Sequence, residues 1–166
     1  MEGYGHLRFI GKGDLPALVD FARPIWMHTF LPLMDRHSAE YVFGSWVSVE
    51  HLSSLMDEGY LMGYIRDGDR DVGWFSFHVQ DDRRVLISKL YLLPECQRHG
   101  IGSRTLGDIM DYARGHGADY AYLYVFRGNV NAQKVYVANG FIEIRREYEK
   151  LTEDVVRDDI VYGRPL

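Results

Sequence analysis

The clearest chemical signal in this sequence is the loop at positions 97–102, Gln-Arg-His-Gly-Ile-Gly. It follows an apolar run at 85–93 that predicts a strand, and it precedes an amphipathic run at 103–116 that predicts a helix. The first N–H groups of a helix have no internal partner, and the helix dipole adds partial positive charge there. Because Gly100 and Gly102 lack side chains, a phosphate can touch the backbone, so the loop predicts an anion site.

Two familiar phosphate-binding patterns do not fit this loop. The dinucleotide fingerprint needs a third glycine at the helix start and an early βαβ position, but Arg104 and Thr105 stand there and the preceding strand ends a meander. The Walker pattern needs Gly-Lys-Ser/Thr, which is absent from the loop. These departures argue against a nicotinamide site and against a Walker-type nucleotide site.

A second segment, at 129–141, has the sequence Asn-Val-Asn-Ala-Gln-Lys-Val-Tyr-Val-Ala-Asn-Gly-Phe. Together the two elements resemble the GNAT superfamily of acyl-CoA-dependent N-acetyltransferases, with its Gln/Arg-x-x-Gly-x-Gly/Ala loop and its Asn-x-x-Ala…Tyr…Gly-Phe segment in the same order. The resemblance is best over residues 85–141. The runs 89–94 and 158–162 further resemble a bacterial subset that includes polyamine acetyltransferases. A loop that only turns a strand into a helix explains the two glycines, but not the second segment.

The hydrophobic patterns predict one α+β domain over residues 1–166, with a mixed, mostly antiparallel sheet of about seven strands. The strands are predicted at 7–10, 60–66, 72–80, 85–93, 118–126, 141–150 and 155–162. Helices are predicted from a cap at Asp14, over 38–56 with a break near 47–49, over 103–116 and over 131–139. The resemblance places helices on both faces of the sheet, and it implies that the strands at 85–93 and 118–126 splay apart at their ends.

The resemblance implies that acetyl-CoA is the co-substrate. Backbone N–H groups of the loop and helix start would cradle its pyrophosphate; they belong to Arg98, His99, Gly100, Ile101, Gly102 and Ser103. The side chains of Gln97 and Arg98 would add contacts, and Ser103 would both cap the helix and bind phosphate. His99 is expected to contribute its backbone alone.

Further coenzyme contacts follow from the same resemblance. Freed backbone groups around Leu90, Tyr91 and Leu92 would pair with the pantetheine amides and polarise the acetyl carbonyl. Asn129 and Asn131 resemble the family's coenzyme contacts near the second segment. Either asparagine is equally well explained as a helix cap, and the two roles are compatible.

Tyr136 is the expected catalytic residue, because the resemblance gives it the role of assisting departure of the coenzyme A thiolate. A phenol has a pKa of about 10 and a thiol one of about 8.5, so the phenol is the weaker acid and full proton transfer to the thiolate is uphill. The expected contribution of Tyr136 is therefore a short hydrogen bond that stabilises the leaving sulfur. The alternative is a tyrosine that only packs between helix and sheet. Cys96 has no recognisable activating partner, so the amine is expected to attack acetyl-CoA directly.

The base that takes the amine proton is not identified by the sequence. Some GNAT enzymes use a glutamate early in the central strand, where this chain has Leu86 and no acid at 85–93. His78 is a candidate on the neighbouring strand, on the same face as Trp74 and Ser76. A structural role for His78, with proton transfer through water to a carboxylate or a backbone carbonyl, is the alternative.

The N-terminal helices are expected to form the wall of the acceptor site, as the resemblance implies. Aromatic side chains there could hold an amine by cation–π contact or simply pack in the core; they are Trp26, Phe30, Tyr41 and Trp46. Acidic side chains could select a cationic acceptor or be solvated helix charges; they are Asp35, Glu40, Glu50, Asp57 and Glu58.

Composition bounds the remaining choices. The 166 residues carry a net charge of −5, which argues against a nucleic-acid partner. No signal peptide, membrane span or metal-ligand spacing is recognised, and the single cysteine favours the reducing cytoplasm.

The predicted function is transfer of an acetyl group from acetyl-CoA to a primary amine of a small molecule or peptide. The alternatives are a non-catalytic acyl-CoA-binding module and a protein N-terminal or lysine acetyltransferase. The resemblance also allows a homodimer.

Overall fold

The computed structural model describes residues 3–166, which form one eight-stranded sheet with helices on both faces. The strands are β1 (Gly3–Tyr4), β2 (Leu7–Phe9), β3 (Leu61–Asp67), β4 (Arg70–Val79), β5 (Arg84–Leu92), β6 (Tyr120–Phe126), β7 (Ile142–Lys150) and β8 (Val156–Pro165). Their order in the sheet is β1-β2-β3-β4-β5-β6-β8-β7, and only β5 and β6 run parallel. The predicted α+β fold with a mostly antiparallel sheet is confirmed, and the short β1 is the strand beyond the seven predicted.

Five α-helices cover the sheet. They are α1 (Leu15–Phe30), α2 (Arg36–Trp46), α3 (Val49–Asp57), α4 (Ile101–Gly115) and α5 (Val130–Ala138). The predicted break near 47–49 separates α2 from α3, because the hydroxyl of Ser48 accepts a hydrogen bond from the backbone N–H of His51 (3.2 Å) and starts a new helix. Asp14 occupies the N-cap position of α1, but its carboxylate accepts from the N–H of Gly11 (3.2 Å) instead of capping α1.

The sheet separates two hydrophobic cores. Side chains of β4 alternate between them, as predicted: Trp74 packs with α1, α2 and α3, whereas Phe75 and Phe77 pack with α4. All three rings are fully buried. The two helical layers therefore approach the central strands from opposite sides.

A β-bulge in β5 decides which of its side chains face each layer. Ser76 of β4 lies opposite Lys89, and Phe77 lies opposite Ile87, so Ser88 is the extra residue. The Ser88 hydroxyl donates a hydrogen bond to the backbone oxygen of Ser76 (3.1 Å). Beyond the bulge, Lys89 and Tyr91 lie on the face of α1–α3.

The parallel pairing of β5 with β6 is short. The strands are in register only from Arg84 opposite Tyr120 to Leu86 opposite Tyr122. From that point β6 continues along β8 to Phe126, while β5 continues along β4 to Leu92. The expected splay of the central strands is therefore present, and it leaves a wedge-shaped gap in the middle of the sheet.

Gly63 is expected to be essential for the packing of β3 between its neighbours. A Cβ atom at this position would lie 1.9 Å from the backbone oxygen of Arg8 on β2. We expect Gly63→Ala to lower the free energy of unfolding by about 3 kcal/mol, because two backbones must separate. The matched control is Gly107→Ala in α4, where a Cβ meets nothing within 4 Å. We expect the free energy of unfolding of this control, measured by urea denaturation, to rise by about 0.5–1 kcal/mol. Equal urea midpoints for the two variants would contradict the close approach of β2 and β3 at Gly63.

Candidate active site

Two cavities meet in the gap between β5 and β6. The first, here called the donor cavity, has a volume of about 910 Å³ and extends from the loop before α4 to α5. The second, the acceptor cavity, has a volume of about 370 Å³ and lies under α1–α3. Five residues line both cavities, namely Phe30, Ser88, Tyr91, Tyr124 and Phe126. A molecule in one cavity can therefore touch a molecule in the other.

The donor cavity begins at the loop that the sequence singled out. Arg98 and Gly100 both have left-handed backbone conformations, with φ of 64° and 78°. Such a conformation is strained for arginine, and strain of this kind is typical of functional loops. Among the described residues, no hydrogen-bond acceptor pairs with the backbone N–H groups from Arg98 to Ser103. Six consecutive free donors at a helix N-terminus can hold an anion.

The start of α4 differs from the prediction. The helix begins at Ile101 and Gly100 is its N-cap, so Ser103 lies in the first turn and does not cap the helix. The left-handed turn at Gly100 brings the chain into the helix two residues before the predicted start at 103. The Ser103 hydroxyl accepts a hydrogen bond from the side-chain amide of Asn139 (3.0 Å), which links the loop to the end of α5.

The loop residues reach the donor cavity to different extents. Gln97, Arg98, Gly100, Gly102 and Ser103 line it, whereas His99 and Ile101 do not. Ile101, the first residue of α4, is buried in the core, and His99 is exposed. The side-chain amide of Gln97 donates to the backbone oxygen of Leu92 (3.2 Å). Gln97 therefore holds the loop against the end of β5.

The predicted backbone contacts at 90–92 divide into two kinds. The N–H of Leu93 donates to the oxygen of Val72 on β4 (2.8 Å), and antiparallel bonds alternate along a strand. The peptide groups of Tyr91 therefore face β4, while those of Leu90 and Leu92 face the gap. All three residues line the donor cavity.

Helix α5 closes the other side of the donor cavity. Asn129 is its N-cap, and the side-chain oxygen of Asn129 accepts from the N–H of Ala132 (3.3 Å). Asn131 is exposed in the first turn, and Asn129, Asn131 and Tyr136 all line the cavity. The capping role of Asn129, which the sequence left open, is therefore present.

Tyr136 lies partly buried between α5 and the sheet. Its ring packs edge-on against Phe141, with 5.9 Å between ring centroids. Burial raises the pKa of Tyr136 to about 12, and no charge or hydrogen bond among the described residues acts on that pKa. The phenol therefore keeps its proton at neutral pH and is free to donate a hydrogen bond into the cavity.

The acceptor cavity is walled by aromatic rings. Trp26, Phe30 and Trp46 line it as predicted, whereas Tyr41 is exposed and does not. Four further rings were not foreseen as wall residues, namely Tyr60, Tyr91, Tyr124 and Phe126. The indole N–H of Trp26 is already used, because it donates to the backbone oxygen of Ala39 (3.1 Å).

The acidic residues proposed from the N-terminal helices lie elsewhere. None of the five lines either cavity. Asp35 caps α2 by accepting from the N–H of Ser38 (2.7 Å), and Asp57 pairs with Lys12. The carboxylate that does line the acceptor cavity is Asp159 of β8. Its place could not be read from spacing, because β8 reaches the site through long-range pairing with β6.

His78, the candidate base from the sequence, and Lys89 occupy different environments. His78 lines neither cavity, and its ring stacks on Tyr60 with 4.5 Å between centroids. Lys89 was overlooked in the sequence, although it precedes the loop by only a few residues. It lines the acceptor cavity together with Asp159 and Arg157.

Residues 3–166 lack both a metal-binding cluster and a membrane-spanning helix. Nowhere in that part of the chain do three His, Cys, Asp or Glu side chains converge as metal ligands would. Every helix there is too short or too polar to cross a bilayer.

Comparisons with known proteins agree with this architecture. A probable N-acetyltransferase of Mycobacterium tuberculosis is 29% identical over 98 residues, and the match covers 56% of each chain. The PaiA N-acetyltransferase of Thermoplasma acidophilum, solved in complex with coenzyme A, superposes with a TM-score of 0.77 at 21% identity, over 96% of this chain and 97% of that one. The ribosomal-protein-S18-alanine N-acetyltransferase of Escherichia coli superposes with a TM-score of 0.68 at 21% identity, over 95% and 91%.

The family model described as the acetyltransferase (GNAT) family matches residues 16–141. This range runs from the start of α1 to the residue before β7 and contains the loop, α4 and α5. Since it covers most of the chain and both motifs, the protein belongs to the GNAT family of acetyltransferases.

Proposed function

We propose that this protein transfers an acetyl group from acetyl-CoA to a primary amine by direct attack. The observation that supports the proposal is the meeting of two chemically different cavities at the gap between β5 and β6. One cavity offers free backbone donors to an anion, and the other offers an aromatic pocket. Bringing the two reactants together in a fixed geometry supplies much of the rate in such a reaction.

The donor cavity fits the shape and charge of coenzyme A. The free N–H groups from Arg98 to Ser103 suit a diphosphate. The peptide groups of Leu90 and the N–H of Leu92, whose oxygen already accepts from Gln97, suit the amides of an extended pantetheine arm. Gly102 leaves this approach open, since even a Cβ there would meet only Leu92, at 3.6 Å. Acetyl-CoA is therefore the proposed co-substrate, held by the loop, β5 and α5.

The proposed chemistry uses groups on both sides of the gap. The amine nitrogen forms a bond to the acetyl carbon while a free N–H of β5 stabilises the charge that develops on the carbonyl oxygen. As the carbon–sulfur bond breaks, the electron pair leaves with sulfur, and the hydroxyl of Tyr136 donates a hydrogen bond to it. Cys96 is buried, and direct attack leaves it no role in the reaction.

The acceptor cavity favours a small molecule over a peptide. Its volume of about 370 Å³ is at the lower end of the range for small-ligand sites. Seven aromatic rings line it, so an amine with an apolar or aromatic body would bury its surface well there. A protein terminus or a lysine side chain on a folded partner would need a wider opening.

A panel of amines tests this proposal. Coenzyme A release is measured with arylalkylamines, polyamines, amino acids and short peptides as acceptors. We expect turnover with small amines of apolar body to exceed that with peptides. Binding of acetyl-CoA without turnover on every amine would favour a non-catalytic acyl-CoA-binding module. Preference for peptides would favour protein acetylation.

Three statements remain predictions from the sequence. They are the single acetyltransferase domain over residues 1–166, location in the cytoplasm and assembly as a homodimer. Gel filtration with light scattering tests the last of these directly.

A further inference from the structure

Lys89 is a cation placed where the two cavities meet. It follows the bulge residue Ser88, which lines both cavities, and it lies on the face of β5 that looks into the acceptor cavity. Among the described residues, no carboxylate lies within ion-pairing distance of its ammonium group and no acceptor bonds to it. Lys89 is partly buried. A charge withdrawn from water without a partner is costly, so a lysine in this position calls for a chemical reason.

The charged groups around Lys89 are already engaged with one another. Arg157 of β8 donates to Asp159 (3.1 Å) and also contacts Glu147 (3.2 Å) and Glu149 (3.5 Å) of β7. Asp159 is therefore close enough to influence Lys89 but is paired with Arg157. The other titratable groups that line the cavity are His51 of α3, Tyr60 before β3, Tyr91 of β5 and Tyr124 of β6.

Burial lowers the pKa of Lys89 to about 8, and the nearby charge of Asp159 acts in the opposite direction. At that pKa a substantial fraction of Lys89 is neutral near pH 8, with a lone pair on nitrogen. An amine of this kind can accept a proton and release it again under ordinary conditions.

Unpaired polar groups lie beside Lys89 on the same face of the sheet. Ser76 is directly opposite Lys89 in the ladder, fully buried, and its hydroxyl has no partner among residues 3–166. The indole N–H of Trp74, two residues away on β4, is likewise buried without a partner. Buried polar groups that lack a partner call for an explanation, and these two lie on the face of the sheet that carries Lys89.

Resting on the proposed function, we propose that Lys89 is the general base that removes a proton from the acceptor amine. Neutral Lys89 takes one proton from the incoming ammonium and becomes charged itself. The freed amine then forms the carbon–nitrogen bond. When the carbon–sulfur bond breaks, the surplus proton on the former amine nitrogen ends on the thiol. Lys89 returns its own proton to solvent through the mouth of the acceptor cavity.

Two substitutions separate proton transfer from simple charge. Lys89→Met keeps the aliphatic chain and removes the amine, while Lys89→Arg keeps a positive charge that cannot be neutralised at ordinary pH. If Lys89 is the general base, kcat/KM should fall about 100-fold or more in both variants. If Lys89 instead held a carboxylate of the acceptor, Lys89→Arg would retain most of its activity, and that result would overturn the proposal.

The pH dependence gives the second readout. The base works only when neutral, so the wild-type kcat/KM should rise with pH through about 8. This rise in the pH profile of kcat/KM should be absent from Lys89→Met. Any rise caused by deprotonation of the acceptor's own amine should persist in that variant. Lys150→Met is the matched control, because Lys150 is exposed and lines neither cavity, so this variant should keep the wild-type pH profile. His51→Gln should leave the midpoint in place, and a midpoint that moves with His51 would assign the rise to that histidine.

A titration without substrate keeps this proposal separable from the proposed function. Carbon-13 resonances of the lysine Cε atoms are followed against pH, and Lys89 is assigned by its absence from Lys89→Arg. We expect a midpoint near 8, below the ordinary lysine pKa of about 10.4. A midpoint above 10 would refute the role of Lys89 even in a fully active enzyme. Failure of every amine to react would instead refute the proposed function.

Discussion

We expect a Gly102→Val variant to bind acetyl-CoA at least about 100-fold more weakly than the wild type, and calorimetric titration of the two proteins measures the difference. The substitution is tolerated by the fold, because a Cβ at this position meets only Leu92 at 3.6 Å, an ordinary contact. Its two methyl groups occupy the space in which a diphosphate approaches the free N–H groups at the start of α4. Each hydrogen bond to a charged group contributes about 1.5–3 kcal/mol, so losing two of them accounts for the expected effect.

Gly107→Val is the matched control for this experiment. It makes the same substitution five residues further along α4, at a position where a Cβ meets nothing within 4 Å. We expect its affinity for acetyl-CoA to equal that of the wild type. A folded Gly102→Val variant with unchanged affinity would refute the placement of the diphosphate at this helix start.

We expect a Tyr136→Phe variant to have a kcat about 10- to 100-fold below that of the wild type, while its KM for acetyl-CoA changes little. Burial raises the pKa of Tyr136 to about 12, which makes the phenol a weaker acid than a thiol. Complete proton transfer to the leaving sulfur is therefore uphill, and the hydroxyl acts chiefly as a hydrogen-bond donor. One hydrogen bond to a developing thiolate contributes about 1.5–3 kcal/mol, which sets the size of the effect.

The control for Tyr136 is Tyr148→Phe, because Tyr148 is an exposed tyrosine of β7 that lines neither cavity. Steady-state kinetics at saturating acceptor separate kcat from KM for both variants. A wild-type kcat in Tyr136→Phe would remove this residue from the mechanism and leave only its packing against Phe141. A rise in KM alone would assign it to coenzyme binding.

Tyr136 and Lys89 would act on opposite sides of the same reaction. Tyr136 lines the donor cavity, where we propose that the thiol departs, and Lys89 lines the acceptor cavity, where we propose that the amine arrives. Tyr91 lies between them, and burial raises the pKa of its phenol, so it stays neutral. The splay of β5 from β6 is the structural feature that allows the two groups to reach one acetyl group from different faces of the sheet.

The motifs around the donor cavity could be recognised in the sequence because each is local. A strand, a glycine loop and a helix start are adjacent in the chain, and so are Asn129 and Tyr136 in α5. Hydrophobic periodicity located the strands to within a few residues for the same reason. The errors lie at boundaries, as at Ser103, where the left-handed turn at Gly100 starts α4 earlier than the apolar pattern implies.

The acceptor cavity could not be assembled in this way, because its walls come from distant parts of the chain. Trp26 lies on α1, Lys89 on β5, Tyr124 on β6 and Asp159 on β8. The bulge at Ser88 sets the direction of Lys89, and an inserted residue of this kind leaves no periodic signal. Local sequence patterns thus identified the family and drew attention to the loop at 97–102 and to Tyr136, and both line the donor cavity. The pKa of Lys89 depends on burial, and the partners of Asp159 depend on ion pairing and on strand register. All of these depend on contacts between residues far apart in the chain.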